Sequence, residues 1–433
     1  SSTFSKLLEI LLMPQNEISS TQFGFRKGRC TKFACSLYHD VSNYFVMRRS
    51  PLFSCSLDAE KCFDSIWHKG LFFKLHGKLP EQHWALLYRW YSELKAVVRW
   101  HGCHSKSFNI TKGTRQGSIL SPQLFNLFID DLLRYLQASK YQVKIGKCSL
   151  NSFAYADDIT VLSTTAPGLQ HLIDICTRYA DEWRFRFGVN KTKCMVVCSG
   201  KLCEVPSFTL NGQPIDNVNE MEILGMVFNS AGTADAHVAK RIDKCRRSFY
   251  ALNDVGMGYP GCSASIKSYL WKTMCQPVLL YGLECFNLPG RCFKDLETCQ
   301  GNLVKQSLGF SKRSRTSFNL YIMNVFKVVD CFKKRAMTLF NRVFTMDSPI
   351  RLLYIHFLSI FICDECVVPG SFIDRILSFN LSPVECAFTK MSTDSSQQSC
   401  GVTDSLKILL MHQNFLKPYS DEHIMAMLLT RSF

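Results

Sequence analysis

The sequence lacks an apolar leader of the secretory kind, so a secreted, disulfide-stapled domain is not the expected use of its 21 cysteines. They are scattered and odd in number, which fits free thiols in a reducing compartment: an intracellular chain, nuclear or cytoplasmic. No second CxxC accompanies Cys363-Asp-Glu-Cys366. Cys386, Cys400 and His412 follow at loose intervals, so the zinc signal is weak. No apolar run is long enough to span a bilayer. The longest, around Leu352–Ile362, is interrupted by His356, and a membrane is not an expected partner. Internal repeats and long low-complexity tracts are absent too. Acid is in short supply, with 35 acidic against 51 basic residues and a formal charge of +16. That excess speaks of partners rather than fold. Nucleic acid comes first, with an anionic surface or mere solubility as the alternatives. The chain opens Ser-Ser-Thr without an initiator Met, which reads as a processed chain or a fragment.

What is present is apolar and patterned. With 433 residues, 47% of them hydrophobic, the chain can bury a large core spread over two to four domains. Phe4–Leu12 gives a helical apolar face, which Gln22-Phe-Gly-Phe-Arg-Lys-Gly-Arg29 breaks with glycines and charge. Leu52–Leu57 alternates and predicts a strand that delivers Asp58 at its end. Helical stretches follow from Glu60 and over Glu81–Leu94. Gly113–Gly117 is a glycine-flanked loop, and Ser121-Pro122 opens a helix with a cap and an early proline. Phe153–Ser163 predicts a hairpin turning at Asp157 and Asp158. A helix over Gly168–Trp183, a strand over Cys194–Cys198 and an Asn211-Gly212 hairpin come next. From about Ala234 the pattern is helical and basic, so the best domain break lies near 230–235.

Asp58 and Asp157 each end an apolar strand with no neighbouring Lys or Arg on it. If those strands are adjacent, two or three carboxylates meet and repel one another. A divalent cation resolves the conflict, and hard carboxylate oxygens suit Mg²⁺. Two such ions form a clamp for in-line phosphoryl transfer. With the basic charge this points to a nucleic-acid polymerase or a nuclease, and spacing does not choose between them. Taken alone, the acids could equally be ordinary turn residues.

Further blocks carry a resemblance. LDAEKCFDSIWH (57–68), KGTRQGSILSPQLFNLFIDDL (112–132) and FAYADD (153–158) occur in order and at distances that resemble reverse transcriptases, most closely those of non-LTR, LINE-type retrotransposons. QFGFRKG, WRFRFGVNKTKCMVV (183–197) and ILGMVF (223–228) extend the match. It implies an α+β right-hand polymerase. Partial fingers and a palm with an antiparallel sheet backed by helices take 1–233, a helical thumb takes 234–320, and a mostly helical region without assigned role takes 321–433. It implies RNA-directed DNA synthesis with two Mg²⁺, Mn²⁺ as a substitute, and an RNA template, a DNA primer and dNTPs as partners.

The resemblance also assigns residues. Asp58, Asp157 and Asp158 are catalytic metal ligands, Asp158 the less direct. Phe63 blocks a ribose 2′-OH, against the alternative of a core Phe. Gln116 and Gly117 lie against the incoming nucleotide, and Lys191 near its phosphates, against an ordinary loop and a solvated Lys. Gly188 stands where the family usually has Asn, and Ile223 where an aromatic is usual. Leu224 and Gly225 grip the primer. Lys240, Lys244 and Arg247 track phosphates, against a merely solvated basic face. No constellation resembles the endonuclease, RNase H or zinc knuckle of some relatives. The rival is a decayed, truncated remnant that only binds nucleic acid. The intact acids, Phe63 and Gln116 favour the enzyme.

Overall fold

The computed structural model describes residues 18–114, 117–118, 120–198, 206–259, 261–343, 348–364, 369 and 371–377. The Phe4–Leu12 face, Gln116, Cys366, Cys386, Cys400 and His412 lie outside them. The described residues gather into two compact units. One draws on Ser1–Ala34, Arg49–Lys144 and Ser149–Leu224, the other on Cys35–Arg48, Ile145–Cys148 and Gly225–Phe433.

The first unit is built on a six-stranded sheet. Its strands are β1 (Leu52–Asp58), β2 (Ser152–Tyr155), β3 (Asp158–Ser163), β4 (Lys193–Val197), β5 (Phe208–Leu210) and β6 (Gln213–Asn217). Their spatial order is β5-β6-β4-β1-β3-β2, antiparallel except for the β4–β6 pair. Alternation along β1 decides its two faces. Phe53, Cys55 and Leu57 join the main core, while Ser54 is buried on the other face and donates from Oγ to the Met195 carbonyl at 2.9 Å. Asn211 and Gly212 both have positive φ, 53° and 73°, the backbone of a two-residue hairpin between β5 and β6.

Helices of this unit cover the sheet. The stretch from Glu60 is two short helices, α1 (Cys62–Ser65) and α2 (His68–Leu75), rather than one. They part because Trp67 bridges Lys112 and the Ile66 carbonyl accepts from Gly113 N–H at 2.8 Å, which pulls this backbone out of the helical region. Next come α3 (Glu81–Ser92), α4 (Ser121–Ala138) and α5 (Ala166–Glu182). Ser121 is the first residue of α4, not its cap. Leu124, Leu127, Phe128 and Leu132 of α4 and Leu169, Leu172 and Cys176 of α5 share one core with β1. At about 25 cal/mol per Å², each such side chain contributes roughly 2 kcal/mol on burial.

Lys74 of α2 ends inside that core. Its ammonium lies 3.7 Å from the centre of the Trp183 ring and 4.4 Å from that of Tyr179, donates to the Phe128 carbonyl at 2.8 Å, and pairs with Asp131 at 3.2 Å. Burial draws its pKa down to about 8, with Asp131 opposing. Between about pH 8 and 10 the unfolded chain therefore holds a proton that the folded chain has released, and this group's contribution to stability rises with pH. The stability of the wild type relative to Lys74→Met should grow across that window by up to roughly 2.7 kcal/mol. Paired urea melts at pH 8 and pH 10 measure it, and a constant difference would refute the shift. Buried thiols such as Cys62 and Cys176, raised above the usual cysteine range, push total stability the other way above about pH 9, so the difference between the two chains is the quantity to read.

The second unit is helical over most of its described length, with α6 (Asp235–Tyr250) and α7 (Gly290–Ser307) among its longest helices. Its core includes Trp271, Phe249, Leu296, Val304 and Phe332. Asp40 and Arg375 form a buried ion pair at 3.0 Å, and Arg375 also reaches the Cys285 carbonyl at 3.1 Å. Pro349–Asp364 is one helix, but no helix among the described residues is long and apolar enough to cross a membrane.

Candidate active site

In the first unit β1 and β3 are neighbours, and their register places Asp58 directly opposite Asp158. Tyr155 pairs with Asp158 across the next strand, so Ala156 and Asp157 are the two central residues of the turn. The turn is held in an unusual conformation. Ala156 has φ 57°, a left-handed backbone that residues with a Cβ seldom adopt. Gln22 compensates. Its Oε1 accepts from Ala156 N–H at 2.9 Å and from Gly24 N–H at 2.9 Å, and its Nε2 lies 3.4 Å from the Ala156 carbonyl.

Gly24 passes so near that a Cβ there would lie 2.3 Å from Ala156 N. Asn126 of α4 donates to the Gly24 carbonyl at 2.9 Å, and the Gln22 backbone bridges Ala154. The QFGF segment is thus a clamp on the acidic turn. Gln22, Gly24 and Asn126 are the residues that reading the sequence missed. The sequence signal was at Asn126, a lone amide within the apolar run 124–129, since a buried amide requires a partner; Gln22 stands among polar residues and gave none.

The other side of the turn has a thiol. Cys62 Sγ donates to Asp157 Oδ2 at 3.2 Å, and burial together with the Asp157 charge raises its pKa, so it stays protonated. Lys191 Nζ meets Asp58 Oδ2 at 3.1 Å, which raises the Lys191 pKa. Its loop is tied to the end of β1, because Gly188 N–H donates to the Asp58 carbonyl at 2.9 Å and Thr192 Oγ1 to the Gly188 carbonyl at 2.8 Å. A glycine at 188 therefore still delivers Lys191 to the acids. Asp158 is exposed by surface area, yet its carboxyl is hemmed in. Desolvation first, then the Asp157 and Asp58 charges, push its pKa up to about 6 against the pull of Lys191. Among the described residues no three His, Cys, Asp or Glu side chains close around a common point as around an ion. Lys191 and Cys62 occupy an oxygen of Asp58 and of Asp157 instead. The donor set remains three hard carboxylates whose mutual repulsion a cation would relieve, and in that respect it fits a divalent metal.

Phe63 is half-buried, its ring 4.8 Å from that of Phe125 and 6.1 Å, edge-on, from that of Phe25. Its carbonyl accepts from Thr114 N–H at 2.7 Å, which ties Gly113-Thr114 to it. Gly117 has φ 81°, a left-handed backbone that favours glycine, and a Cβ there would meet nothing within 4 Å. Leu224 and Gly225 are successive left-handed residues, φ 51° and 80°. Lys240, Lys244 and Arg247 lie on α6 in the second unit. Lys244 and Arg247 are exposed, and Asp243 stands 3.9 Å from Arg247.

A core sheet that turns two adjacent acids toward a third is an arrangement suited to phosphoryl-transfer enzymes, and family comparison specifies which. The profile described as "Reverse transcriptase (RNA-dependent DNA polymerase)" matches residues 2–228, and the chain belongs to that family. Its relatives include the RNA-directed DNA polymerase from mobile element jockey of Drosophila funebris. That protein is 25% identical over 333 residues, covering 72% of this chain and 35% of its own length. The probable RNA-directed DNA polymerase from transposon X-element of Drosophila melanogaster is 28% identical over 303 residues, covering 66% of this chain and 32% of its own length. The chain thus spans about a third of these relatives, 35% and 32% of their lengths. They are polymerases of non-LTR retrotransposons, the group the sequence blocks resemble. Among solved structures, telomerase from Candida tropicalis in complex with a fragment of telomeric RNA aligns at 11% identity and a TM-score of 0.41. That alignment covers 82% of this chain and 56% of that one.

Proposed function

We propose that the chain is an RNA-directed DNA polymerase that extends a DNA primer on an RNA template with dNTPs. The observation that carries the reading is the Asp58–Asp158 register, with Asp157 in a turn braced by Gln22. Residues 1–233 serve as partial fingers and palm, 234–320 as thumb, and 321–433 as a further, mostly helical region. Asp58 and Asp157, with Asp158 beside them, hold two Mg²⁺, for which Mn²⁺ substitutes. When bound, these ions supply activation of the primer 3′-OH and neutralisation of charge on the transferring phosphate. The 3′-hydroxyl gives up its proton to solvent as its oxygen bonds to the α-phosphorus, the bond from that phosphorus to the β-phosphate oxygen breaks, and pyrophosphate leaves.

The chain's residues then have these tasks. Asp58 and Asp157 orient the reacting oxygens. Lys191 turns from Asp58 to the triphosphate when the acids are otherwise engaged. Gln116 and Gly117 lie against the nucleotide, Leu224 and Gly225 against the primer, and Lys240, Lys244 and Arg247 along phosphates. Free, mostly buried cysteines suit a reducing compartment, nuclear or cytoplasmic.

Primer extension tests the reading directly. On poly(rA)/oligo(dT) with Mg²⁺ and dTTP the chain should lengthen the primer. Binding of the template–primer without any extension would instead support the decayed remnant. Phe63, whose ring is only partly buried, selects the sugar. Phe63→Val should raise the rNTP-to-dNTP efficiency ratio about tenfold, some 1.4 kcal/mol of discrimination. An active variant with the wild-type ratio would make Phe63 a packing residue of the Phe25–Phe125 cluster.

A further inference from the structure

Between Glu297 and Asp330 the chain has no acidic residue and five basic ones: Lys305, Lys312, Arg313, Arg315 and Lys327. Within the same stretch of the second unit, four large aromatics point outward: Phe310 is 45% exposed, Phe318 58%, Tyr321 83% and Phe326 68%. Large apolar rings at such exposure, gathered in one short segment, call for a partner. Phe318 and Tyr321 stand three residues apart on the helix Thr316–Ile322 and so share a face, while Asn319 and Leu320 of the same helix are buried.

The segment is held from beneath. Lys305, itself buried, donates to the Lys312 carbonyl at 3.0 Å. Asn319 Nδ2 donates to the Arg315 carbonyl at 2.8 Å, and Gln300 Nε2 to the Phe326 carbonyl at 3.0 Å. Ser268 Oγ also donates to the Met323 carbonyl. Lys305, Gln300 and Ser268 from outside the segment, with Asn319 within it, thus fix the backbone at several points, and the rings and cations are presented on a prepared surface rather than on a loose loop.

The charge pattern names the partner. A protein-binding core is depleted of charge, whereas here Lys312, Arg313, Arg315 and Lys327 are all exposed, and none has an ion-pair partner among the described residues. A polyanion answers the cations. Exposed aromatic faces answer unpaired bases, which a duplex keeps stacked within itself. We infer that the surface formed by residues 310–327 is a binding platform for single-stranded RNA, with Phe318 and Tyr321 stacking on bases and Lys312, Arg313 and Arg315 meeting phosphates. This rests on the polymerase reading only in its choice of RNA, whose uncopied part is single-stranded.

The test measures binding rather than synthesis. Fluorescence anisotropy is read with a labelled oligo(rU) of about 15 nucleotides, at the upper end of the site sizes of single-strand-binding domains. Phe318→Ala/Tyr321→Ala should weaken its binding about tenfold or more, leaving the melting temperature and the affinity for a blunt RNA–DNA duplex unchanged. Arg313→Glu/Arg315→Glu should lower the slope of log affinity against log salt by about 1.4, two single-strand phosphates at about 0.7 each. Wild-type oligo(rU) affinity in both variants overturns the inference. So does an equal loss on the duplex, and tighter binding of oligo(dT) than of oligo(rU) overturns the choice of RNA. Each assay is repeated on Asp157→Asn. If the chain extends no primer yet the aromatic variant loses oligo(rU), the catalytic reading fails alone. If extension is normal and oligo(rU) binding does not move, the platform fails alone.

Discussion

Asp157→Asn should reduce primer extension by about a thousandfold or more, on the order of 4 kcal/mol of transition-state stabilisation. The substitution keeps the size of the side chain and the backbone of the turn, which Gln22 holds from the other side. It removes one charge from a cluster in which Asp158 is already pushed up to about 6 by desolvation and by its neighbours. Without divalent ions the folded chain should therefore keep its melting temperature or gain slightly, since a repulsion is lost. Asp58→Asn should be as damaging to extension, and it also frees Lys191 from its 3.1 Å contact. Template binding should persist in both. Extension above about a tenth of wild type in either variant, far from the loss expected of a missing metal ligand, would remove these acids from the chemistry.

Gly24→Ala should also be harmful to activity, through the acidic turn it packs against. A Cβ there falls 2.3 Å from Ala156 N and 2.8 Å from the Tyr155 carbonyl carbon, and both are backbone atoms with no flexible end to move aside. The turn must shift or the QFGF segment must lift away, at a cost of roughly 2 kcal/mol or more in stability. A displacement of about 1 Å at reacting groups can cost about a hundredfold in rate, so extension should drop by that order even in the folded fraction. Gly290→Ala is the control. A Cβ at Gly290 meets nothing within 4 Å, and its stability should stay within about 0.5 kcal/mol of wild type. If Gly24→Ala matches that control in melting temperature and extension, the clamp on the acidic turn does not exist.

Much of this was legible beforehand because it depends on near neighbours in the chain. Alternation over Leu52–Leu57 gave a strand with Asp58 at its end, and β1 is that strand. Asn211-Gly212 announced a turn with two positive φ angles, and both are present. The ordered blocks predicted a reverse transcriptase, and the family profile over residues 2–228 agrees. What reading the sequence got wrong was also local. The stretch from Glu60 reads as continuously helical, and the structure breaks it at Ile66-Trp67 because tertiary pairing with the Lys112–Gly113 backbone outweighs helical propensity.

The sequence by itself determined the elements, the excess of positive charge and the family. Side-chain periodicity, turn chemistry and motif order are encoded within a few residues of one another. Only the tertiary structure decided that Asp58 faces Asp158, and that Lys191 and Cys62 each hold an oxygen of the acidic cluster. It alone revealed that Ala156 sits in a left-handed turn braced by Gln22, a contact across 134 positions of the chain. Such contacts follow no period. They arise when strand register and helix packing bring distant backbone together, and a Gln, a Gly and an Asn become a clamp only once the sheet has formed around them.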